Sequence, residues 1–213
     1  MSLINQITRK CKNLNFMTHD HAMYLRDVIL QNGFSSLCEL GYYHGKSTTY
    51  FAAILKEQGF GKIHAFDRAE MKITPNIDEL LGFFDLEDFV IKVVAEKSLN
   101  WELGKLIKEH PEPIFDFCYI DCGHDFHNTA LAFTLIDSLL KPNGMIIFDD
   151  ATWTAEKSPT CRDAGDYNLI YPYMCDEESK LAPVGFVCDH IVSKYNYDEL
   201  PKVFDWRIFV KRI

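Results

Sequence analysis

Short apolar runs alternate with helical patterns along most of the chain, and this alternation constrains the fold more than any other feature of the sequence. The runs typical of strands cover residues 37–40, 63–66, 89–94, 115–120 and 145–148. Segments with apolar residues at helical spacing separate them, which is the order that builds parallel sheets. We therefore predict an α/β fold: a doubly wound, Rossmann-like, mostly parallel sheet with helices on both faces.

Two helices and a terminal hairpin complete the predicted architecture. A helix is predicted over residues 18–31, with Gly33 as its stop, and another over 125–140, ended by the segment from Pro142 to Gly144. Near the C-terminus, residues 185–192 and 203–210 form two strand-like runs joined by a polar loop. Because that loop leaves no room for a crossover helix, the two runs are predicted to form an antiparallel hairpin at the end of the sheet.

Length and composition favour one domain that acts on a small molecule. The 213 residues suit a single domain over 1–213, with a helical lead-in (1–33), a core (34–150) and a C-terminal part (151–213). A net charge of −9, with no Lys/Arg cluster longer than a pair, argues against nucleic acid and anionic membranes as partners. No secretory signal opens the chain, and the seven cysteines contain no Cys-x-x-Cys pair, so a cytoplasmic location is expected.

An acidic residue and two glycines stand where the first apolar strand passes into a helix. Glycines let a backbone approach a bound nucleotide, and a helix N-terminus offers free N–H groups. A P-loop needs four residues between its glycines, whereas three separate Gly41 from Gly45. A dinucleotide loop would have glycine where Tyr43 and Lys46 stand. Both classes stay open as alternatives, although Glu39 would repel a pyrophosphate and suits a cationic ligand such as the sulfonium of S-adenosylmethionine.

The run acidic-x-Gly-x-x-x-Gly, formed by Glu39, Gly41 and Gly45, resembles the first motif of class I S-adenosylmethionine-dependent methyltransferases. Within that class the chain looks most like the small-molecule O-methyltransferases of the methyltransferase domain 24 type. That subgroup carries a Tyr-Ile-Asp-x-x-His motif, which is matched here from Tyr119 to His124. The subgroup commonly has glycine directly after the aspartate, and here the glycine comes one position later.

The resemblance implies that the cofactor S-adenosylmethionine binds at the glycine loop and at the ends of nearby strands. The predicted cofactor-binding residues are Glu39, Gly41, Tyr42, Gly45, Ser47, Asp67, Ser98 and Asp121. In this scheme the loop lines the methionine part, Asp67 binds the ribose and Ser98 lies at the adenine edge. Ser47 and Ser98 have a second interpretation, because serine commonly caps the N-terminus of a helix.

Three carboxylates predict a cation beside the cofactor. Asp121, Asp149 and Asp150 follow adjacent predicted strands, and clustered carboxylates repel one another unless a cation or a proton intervenes. Oxygen ligands suit Mg²⁺. The arrangement also resembles the catechol-type O-methyltransferases, whose metal ligands are an Asp after one strand and an acidic pair after the next. The alternative is that Asp121 serves the cofactor and Asp150 caps the following segment.

Two histidines lie near the predicted carboxylates. His124 stands where the catechol-type enzymes carry a basic residue, and the usual pKa of histidine suits proton abstraction near neutrality, so it is predicted as general base. His127 is the alternative base or metal ligand. Trp153 lies in the stretch 152–167, which is predicted to be a loop that closes over the acceptor.

The sequence thus predicts an enzyme that transfers a methyl group from S-adenosylmethionine to a hydroxyl of a small-molecule acceptor, with magnesium as a second cofactor. A catalytically silent module that binds the cofactor and serves a partner protein is the rival. The acceptor's identity and a homo-oligomeric state are left open.

Overall fold

A seven-stranded sheet organises the chain in the computed structural model, which describes residues 1–68, 73–165 and 170–213. The strands are β1 (Ser36–Leu40), β2 (Lys62–Arg68), β3 (Val90–Ala95), β4 (Phe115–Ile120), β5 (Leu140–Phe148), β6 (Tyr197–Glu199) and β7 (Arg207–Lys211). Their order in the sheet is β3-β2-β1-β4-β5-β7-β6. The first five strands are parallel, and β7 is antiparallel to both β5 and β6. The mostly parallel, Rossmann-like sheet is therefore confirmed.

Helices cover both faces of this sheet. In the described residues they are α1 (Leu3–Lys10), α2 (His19–Asn32), α3 (Lys46–Gln58), α4 (Ile77–Phe84), α5 (Leu99–Glu109), α6 (Phe126–Leu139), α7 (Pro159–Asp163), α8 (Asp176–Lys180) and α9 (Pro183–His190). Successive strand residues point to opposite faces. Accordingly Leu37 belongs to the apolar cluster that includes α1 to α4, and Cys38 belongs to the cluster that includes α5, α6 and α9. Two buried layers thus enclose the sheet.

The predicted strands and helices of the core lie close to the observed ones. The helix predicted over 18–31 is α2, which Thr18 caps and which ends at Gly33 with a left-handed φ of 66°. The helix predicted over 125–140 is α6, capped by the Asp125 side chain. The turn predicted after α6 differs, because β5 already starts at Leu140 and its pairing with β4 is irregular before Met145. An irregular segment inside the strand therefore holds Pro142 to Gly144.

The C-terminal hairpin exists, but one of its predicted strands was wrong. Residues 185–192 lie mostly in helix α9, and the hairpin strands are β6 and β7. Pro183 occupies the first turn of α9, where proline is favoured, and the buried Val184, Val187 and Cys188 recur at helical spacing. This apolar face packs on the cluster around α6.

Membrane insertion through a helix finds no support in the described part of the chain. None of the helices there combines the length and the apolar composition that are needed to cross a bilayer.

Candidate active site

The loop between β1 and α3 is held by close packing of its glycines. Gly41 has φ +92°, and its N–H donates to the carbonyl of Phe66 at 2.8 Å. A Cβ on Gly41 would lie 2.0 Å from the backbone oxygen of Asp121. Gly45 has φ +84°, and a Cβ there would lie 2.6 Å from the Ile77 side chain. Neighbouring segments leave no room for a Cβ at either position, so only glycine fits there. The same close packing fixes the loop before any ligand binds.

Asp67, at the end of β2, fastens the same loop. Its Oδ2 accepts hydrogen bonds from the backbone N–H groups of Tyr42 at 2.9 Å and Tyr43 at 2.5 Å. Its Oδ1 accepts from the N–H of Arg68 at 2.6 Å. The carboxylate thus orients the loop while one side of it lines the adjacent cleft.

Glu39 lies beneath this loop and is fully buried. Its Oε2 accepts a hydrogen bond from the Thr48 hydroxyl, and its Oε1 has no partner. Burial raises the pKa of Glu39 to about 8, although the hydroxyls of Ser47 and Thr48 act in the opposite direction. The side chain does not line the cleft, and the raised pKa keeps it protonated near pH 7, so in this structure Glu39 offers a ligand in the cleft neither contact nor the negative charge predicted from the sequence.

A cleft of about 860 Å³ opens along the carboxyl ends of the parallel strands, where ligands bind in open α/β sheets. The predicted site residues that line it are Gly41, Tyr42, Ser47, Asp67, Ser98, Asp121, His124, His127, Asp149 and Asp150. Glu39 and Gly45 do not line it. The fold therefore brings most of the predicted cofactor and metal residues to one cavity.

The structure supports the helix-cap interpretation for Ser98 but not for Ser47. Ser98 caps α5, with its Oγ accepting from the N–H of Trp101 at 3.4 Å, and it also lines the cleft. Ser47 lies within the first turn of α3, whose cap residue is Gly45 without a side-chain hydrogen bond. Ser47 is therefore not a helix cap.

A compact group of ligand atoms occupies the cleft wall at the ends of β4 and β5. Atoms of Asp121, His124 and Asp150 lie within 4.8 Å of one another. Nε2 of His124 lies 2.9 Å from Oδ2 of Asp150 and 3.5 Å from Oδ1 of Asp121. Two ligands at about 2.1 Å from one cation are separated by no more than about 4.2 Å, so the imidazole can share a cation with either carboxylate. The residues present therefore fit a divalent cation.

Asp149 turns away from this group. Its Oδ2 accepts a hydrogen bond from the hydroxyl of Tyr119, and its Oδ1 accepts from the N–H of Asp150 at 2.7 Å. Of the three carboxylates predicted as metal ligands, the structure brings Asp121 and Asp150 together with His124, and it directs Asp149 to Tyr119.

Burial and neighbouring charges shift the pKa values of His124 and Asp149. Burial by itself lowers the pKa of His124, but the carboxylates of Asp121 and Asp150 outweigh it and raise that pKa to about 10. Burial and the charge of Asp121 raise the pKa of Asp149 to about 7, against the hydrogen bond from Tyr119. Positive charge is thus favoured between Asp121 and Asp150.

Aromatic residues pack beside the ring of His124. The Trp153 ring lies 5.2 Å from the His124 ring and 5.5 Å from the ring of Tyr171, measured between centroids. Trp153 and Tyr171 pack against a small buried cluster of Ala155, Cys161 and Met174. The stretch 152–167 therefore borders the site, but it is not the predicted loop throughout, because it contains a 3-10 helix (Ala155–Lys157) and helix α7. Its last two residues lie outside the described part of the chain. His127 is half exposed, with Nδ1 2.9 Å from Oδ1 of Asp125.

The segment before α2 also lines the cleft, which the sequence did not indicate. Leu14 to Met17 contribute to the wall, and Phe16 and Met17 have left-handed φ values of 65° and 25°. The Nζ of Lys46 donates to the carbonyls of Leu14 at 2.8 Å and Phe16 at 2.9 Å. Lys46 therefore ties the N-terminal segment to the glycine loop, and a P-loop lysine would instead have to reach phosphates.

Replacing Lys46 by methionine is expected to lower the free energy of unfolding by about 1–3 kcal/mol, because two hydrogen bonds from a charged donor are lost. Urea denaturation measures this change. Lys105→Met is the matched control, since among the described residues the ion pair of Lys105 is with Glu102, three positions earlier on α5, and its loss should cost no more than about 0.5 kcal/mol. Equal effects of the two substitutions would contradict the fastening role of Lys46.

Comparison with known proteins identifies the class. The family model described as "Methyltransferase domain", of the methyltransferase domain 24 type, matches residues 38–151. The chain belongs to this family of class I S-adenosylmethionine-dependent methyltransferases, and the resemblance seen in its motifs is confirmed. The P-loop and dinucleotide-loop alternatives do not agree with this membership. No sequence among the curated proteins matches the chain.

Solved structures with the same fold include an O-methyltransferase from Bacillus cereus in complex with S-adenosylhomocysteine (TM-score 0.67, 18% identity, 100% of this chain and 91% of that chain). Another is the O-methyltransferase TomG from Streptomyces achromogenes in complex with S-adenosylmethionine (TM-score 0.68, 12% identity, 99% and 89%). A third is the MycE methyltransferase of the mycinamycin pathway, in complex with Mg, S-adenosylhomocysteine and mycinamycin VI (TM-score 0.61, 16% identity, 98% and 54%). At these identities the likeness establishes the fold.

Proposed function

We propose that this protein transfers the methyl group of S-adenosylmethionine to a hydroxyl oxygen of a small molecule, assisted by a divalent cation. One observation carries the proposal: a single cleft joins the glycine loop and Asp67 to the group formed by Asp121, His124 and Asp150. The methyl donor and the activated acceptor have to meet in one cavity, because the acceptor oxygen attacks the sulfonium methyl in line. The O-methyltransferase names of the similar structures support the same reaction.

The glycine loop and Asp67 are assigned to the cofactor. The loop is fixed by contacts with neighbouring segments, so little ordering is needed when the cofactor binds. Asp67 reaches the cleft from the end of β2, the position at which α/β nucleotide-binding proteins hold ribose hydroxyls. Ser98 lines the same cavity and is assigned to the adenine edge.

Asp121 and Asp150 are assigned to the cation and the acceptor. When bound between them, a divalent cation supplies the positive charge that orients the acceptor hydroxyl and lowers its pKa. The acidic wall also attracts a cation from solution, because its carboxylates are close together and partly removed from water. In the protein without a cation, the raised pKa of His124 keeps its imidazole protonated near pH 7. A bound cation adds positive charge beside the imidazole and favours its neutral form, so His124 stays the predicted general base of the cation-bound protein.

The first test is calorimetric titration of the purified protein with S-adenosylhomocysteine, with ATP and NAD as controls. We expect micromolar binding of S-adenosylhomocysteine and none of the controls. Asp67→Asn should weaken this binding about tenfold or more, since a charged hydrogen-bond acceptor becomes neutral. The matched substitution Asp27→Asn, on the exposed surface of α2, should leave it unchanged. Absence of binding would overturn the cofactor assignment.

Turnover is tested with S-adenosylmethionine and a panel of small molecules that carry phenol, sugar or aliphatic hydroxyls, using mass spectrometry to detect the methylated oxygen. Asp121→Asn should abolish turnover and retain S-adenosylhomocysteine binding. Methylation at nitrogen or carbon alone would overturn the hydroxyl assignment. Tight cofactor binding without turnover on any acceptor would favour the catalytically silent module.

A further inference from the structure

We propose that His21 selects the acceptor: its Nε2–H donates a hydrogen bond to an uncharged carbonyl or ether oxygen that the acceptor carries besides its hydroxyl. His21 lies in the first turn of α2 and lines the cleft. The proposal rests on the proposed function, because it needs an acceptor in this cleft. It adds the chemical class of that acceptor, which the motifs do not indicate.

The hydrogen bond from Thr18 fixes the protonation of the His21 ring. Nδ1 lies 2.9 Å from the backbone nitrogen of Thr18, whose N–H can only donate. Nδ1 therefore has to accept, so it carries no proton, and the proton of the neutral imidazole is on Nε2. Burial lowers the pKa of His21 and favours the same neutral form, although the charge of Asp20 acts in the opposite direction.

This N–H group is free to bind a ligand. Both hydrogen bonds that the ring makes within the described part of the chain join Thr18 to Nδ1. Nε2 is not among the fully covered polar atoms that lack a partner, so it is accessible, and the residue borders the cleft. An acceptor that covered Nε2–H without offering an oxygen would leave the donor unsatisfied, which is unfavourable.

Aromatic contacts hold the imidazole in place. The Phe204 ring stands edge-on to it, with 4.0 Å between centroids and an interplanar angle of 80°. The Trp206 ring lies 4.9 Å away at an angle of 31°, and Trp206 is almost fully buried. A donor that is held before the ligand arrives loses little freedom on binding, and it discriminates by direction as well as by distance.

The sheet order places His21 on the acceptor side of the cleft. Trp206, which packs on the imidazole, directly precedes β7, and β7 pairs with β5. The Trp206 ring also contacts the ring of Tyr119 in β4, with 5.7 Å between centroids. Asp67 and Ser98, which we assign to the ribose and the adenine, follow β2 and β3 at the other side of the sheet. His21 is therefore directed to the acceptor rather than to the adenosine.

The charges around His21 favour an uncharged oxygen over a carboxylate. Asp149 and Asp205 line the same cleft and would repel an anion. The basic Lys46 also lines it, but its Nζ donates to two backbone carbonyls of the N-terminal segment. A neutral N–H cannot compensate a carboxylate for the loss of its water, whereas a carbonyl or ether oxygen loses less on desolvation.

Two measurements on the unsubstituted full chain test the proposal. Nitrogen NMR of the His21 imidazole should show a proton on Nε2 and none on Nδ1 near pH 7. The protein loaded with S-adenosylhomocysteine is then titrated calorimetrically with meta-hydroxyacetophenone and with meta-ethylphenol, which differ by a carbonyl in place of a methylene group. The ketone should bind at least about threefold more tightly, since it gains one hydrogen bond. The anion meta-hydroxybenzoate should bind more weakly than the ketone.

Two variants separate the donor from the helix cap. In His21→Gln and in His21→Glu the side chain can still accept from the N–H of Thr18, as a capping box requires, but only glutamine keeps an N–H donor. His21→Gln should keep the preference for the ketone, and His21→Glu should lose it. His110→Glu is the matched control, because His110 is exposed at the end of α5 and does not line the cleft, and it should keep the preference.

The opposing outcomes are distinct. Equal binding of the ketone and meta-ethylphenol, or binding of neither, by the protein loaded with S-adenosylhomocysteine would overturn the role of His21 and leave methyl transfer standing. A preference for the ketone that persists in His21→Glu would overturn it too, because another group would then be the donor. A proton on Nδ1 would contradict the assigned tautomer. A protein that does not bind S-adenosylhomocysteine would overturn the proposed function itself.

Discussion

Replacing Gly41 by alanine is expected to lower the free energy of unfolding by about 3 kcal/mol or more and to abolish S-adenosylhomocysteine binding. A left-handed φ, here +92°, costs a residue with a Cβ about 1–2 kcal/mol. The added Cβ would also stand 2.0 Å from the backbone oxygen of Asp121. Because that obstacle is backbone rather than a flexible side chain, the loop or the end of β4 has to move, and the cofactor loop loses its shape.

Urea denaturation and calorimetric titration with S-adenosylhomocysteine measure the two effects. The matched control is Gly104→Ala, because Gly104 lies inside α5 and a Cβ there would meet no atom within 4 Å. Alanine favours a helix interior over glycine, so this control should stabilise the protein by up to about 1 kcal/mol. A Gly41→Ala protein that unfolds like the unsubstituted one and binds normally would show that the loop does not pack on Asp121.

The contact between Gly41 and Asp121 joins the proposed cofactor loop to the proposed cation site. The N–H of Asp121 donates to the carbonyl of Leu40 at 2.9 Å, and the backbone oxygen of Asp121 faces Gly41. The backbone of Asp121, which we propose as a cation ligand, is therefore packed directly against the loop that we assign to the cofactor. A shift of either segment displaces the other, so in the proposed function the distance between methyl donor and acceptor is set by backbone packing.

The core of the fold was predictable because its signals are local and repeated. Five apolar runs alternate with amphipathic helices, and each run coincides with a strand of the parallel part of the sheet. The ends of α2 could also be predicted, since Thr18 is a favourable cap and Gly33 adopts the left-handed conformation that glycine allows.

The C-terminal part was less predictable. The run over 185–192 is too short for its periodicity to separate a buried helix from a strand, and its helical state depends on packing against α6. The strands that form the hairpin are short, and β6 has only three residues. Their pairing with the sheet arises from tertiary contacts that no local pattern reports.

The sequence correctly predicted that the acidic residues lie at one cleft, but it could not predict the direction in which each side chain points. Neighbouring residues of an extended chain point in opposite directions, so two consecutive aspartates cannot both face one cation without a change in the backbone. Asp150 has a left-handed φ of 54° and turns towards His124, whereas Asp149 faces Tyr119. The contribution of the N-terminal segment was also missed, because Leu14 to Met17 carry no motif and reach the cleft only through tertiary contacts.

The raised pKa of Glu39 is expected to make the free energy of unfolding depend strongly on pH. Burial raises the pKa of this carboxyl from its ordinary value of 4.5 to about 8. Between these two values the folded protein holds a proton that the unfolded chain has released. The free energy of unfolding therefore falls as the pH rises through this window, and the linkage relation limits the loss to about 5 kcal/mol. Relaxation around a buried charge reduces it, so we expect a loss on the order of 1–3 kcal/mol.

Glu39→Gln removes this titration while keeping an oxygen that can accept from Thr48. We expect the variant to match the unsubstituted protein near pH 5 and to be more stable by about 1–3 kcal/mol at pH 8, measured by urea denaturation without ligand. Glu57→Gln is a control of opposite sign, because the hydrogen bond from Arg26 lowers the pKa of Glu57. That variant should lose stability near neutral pH and not in acid, since the Glu57 contribution is present above pH 4.5 and lost as the pH falls. A Glu39→Gln protein that is less stable than the unsubstituted one at pH 8 would show that the buried carboxylate is charged and stabilised in the folded protein.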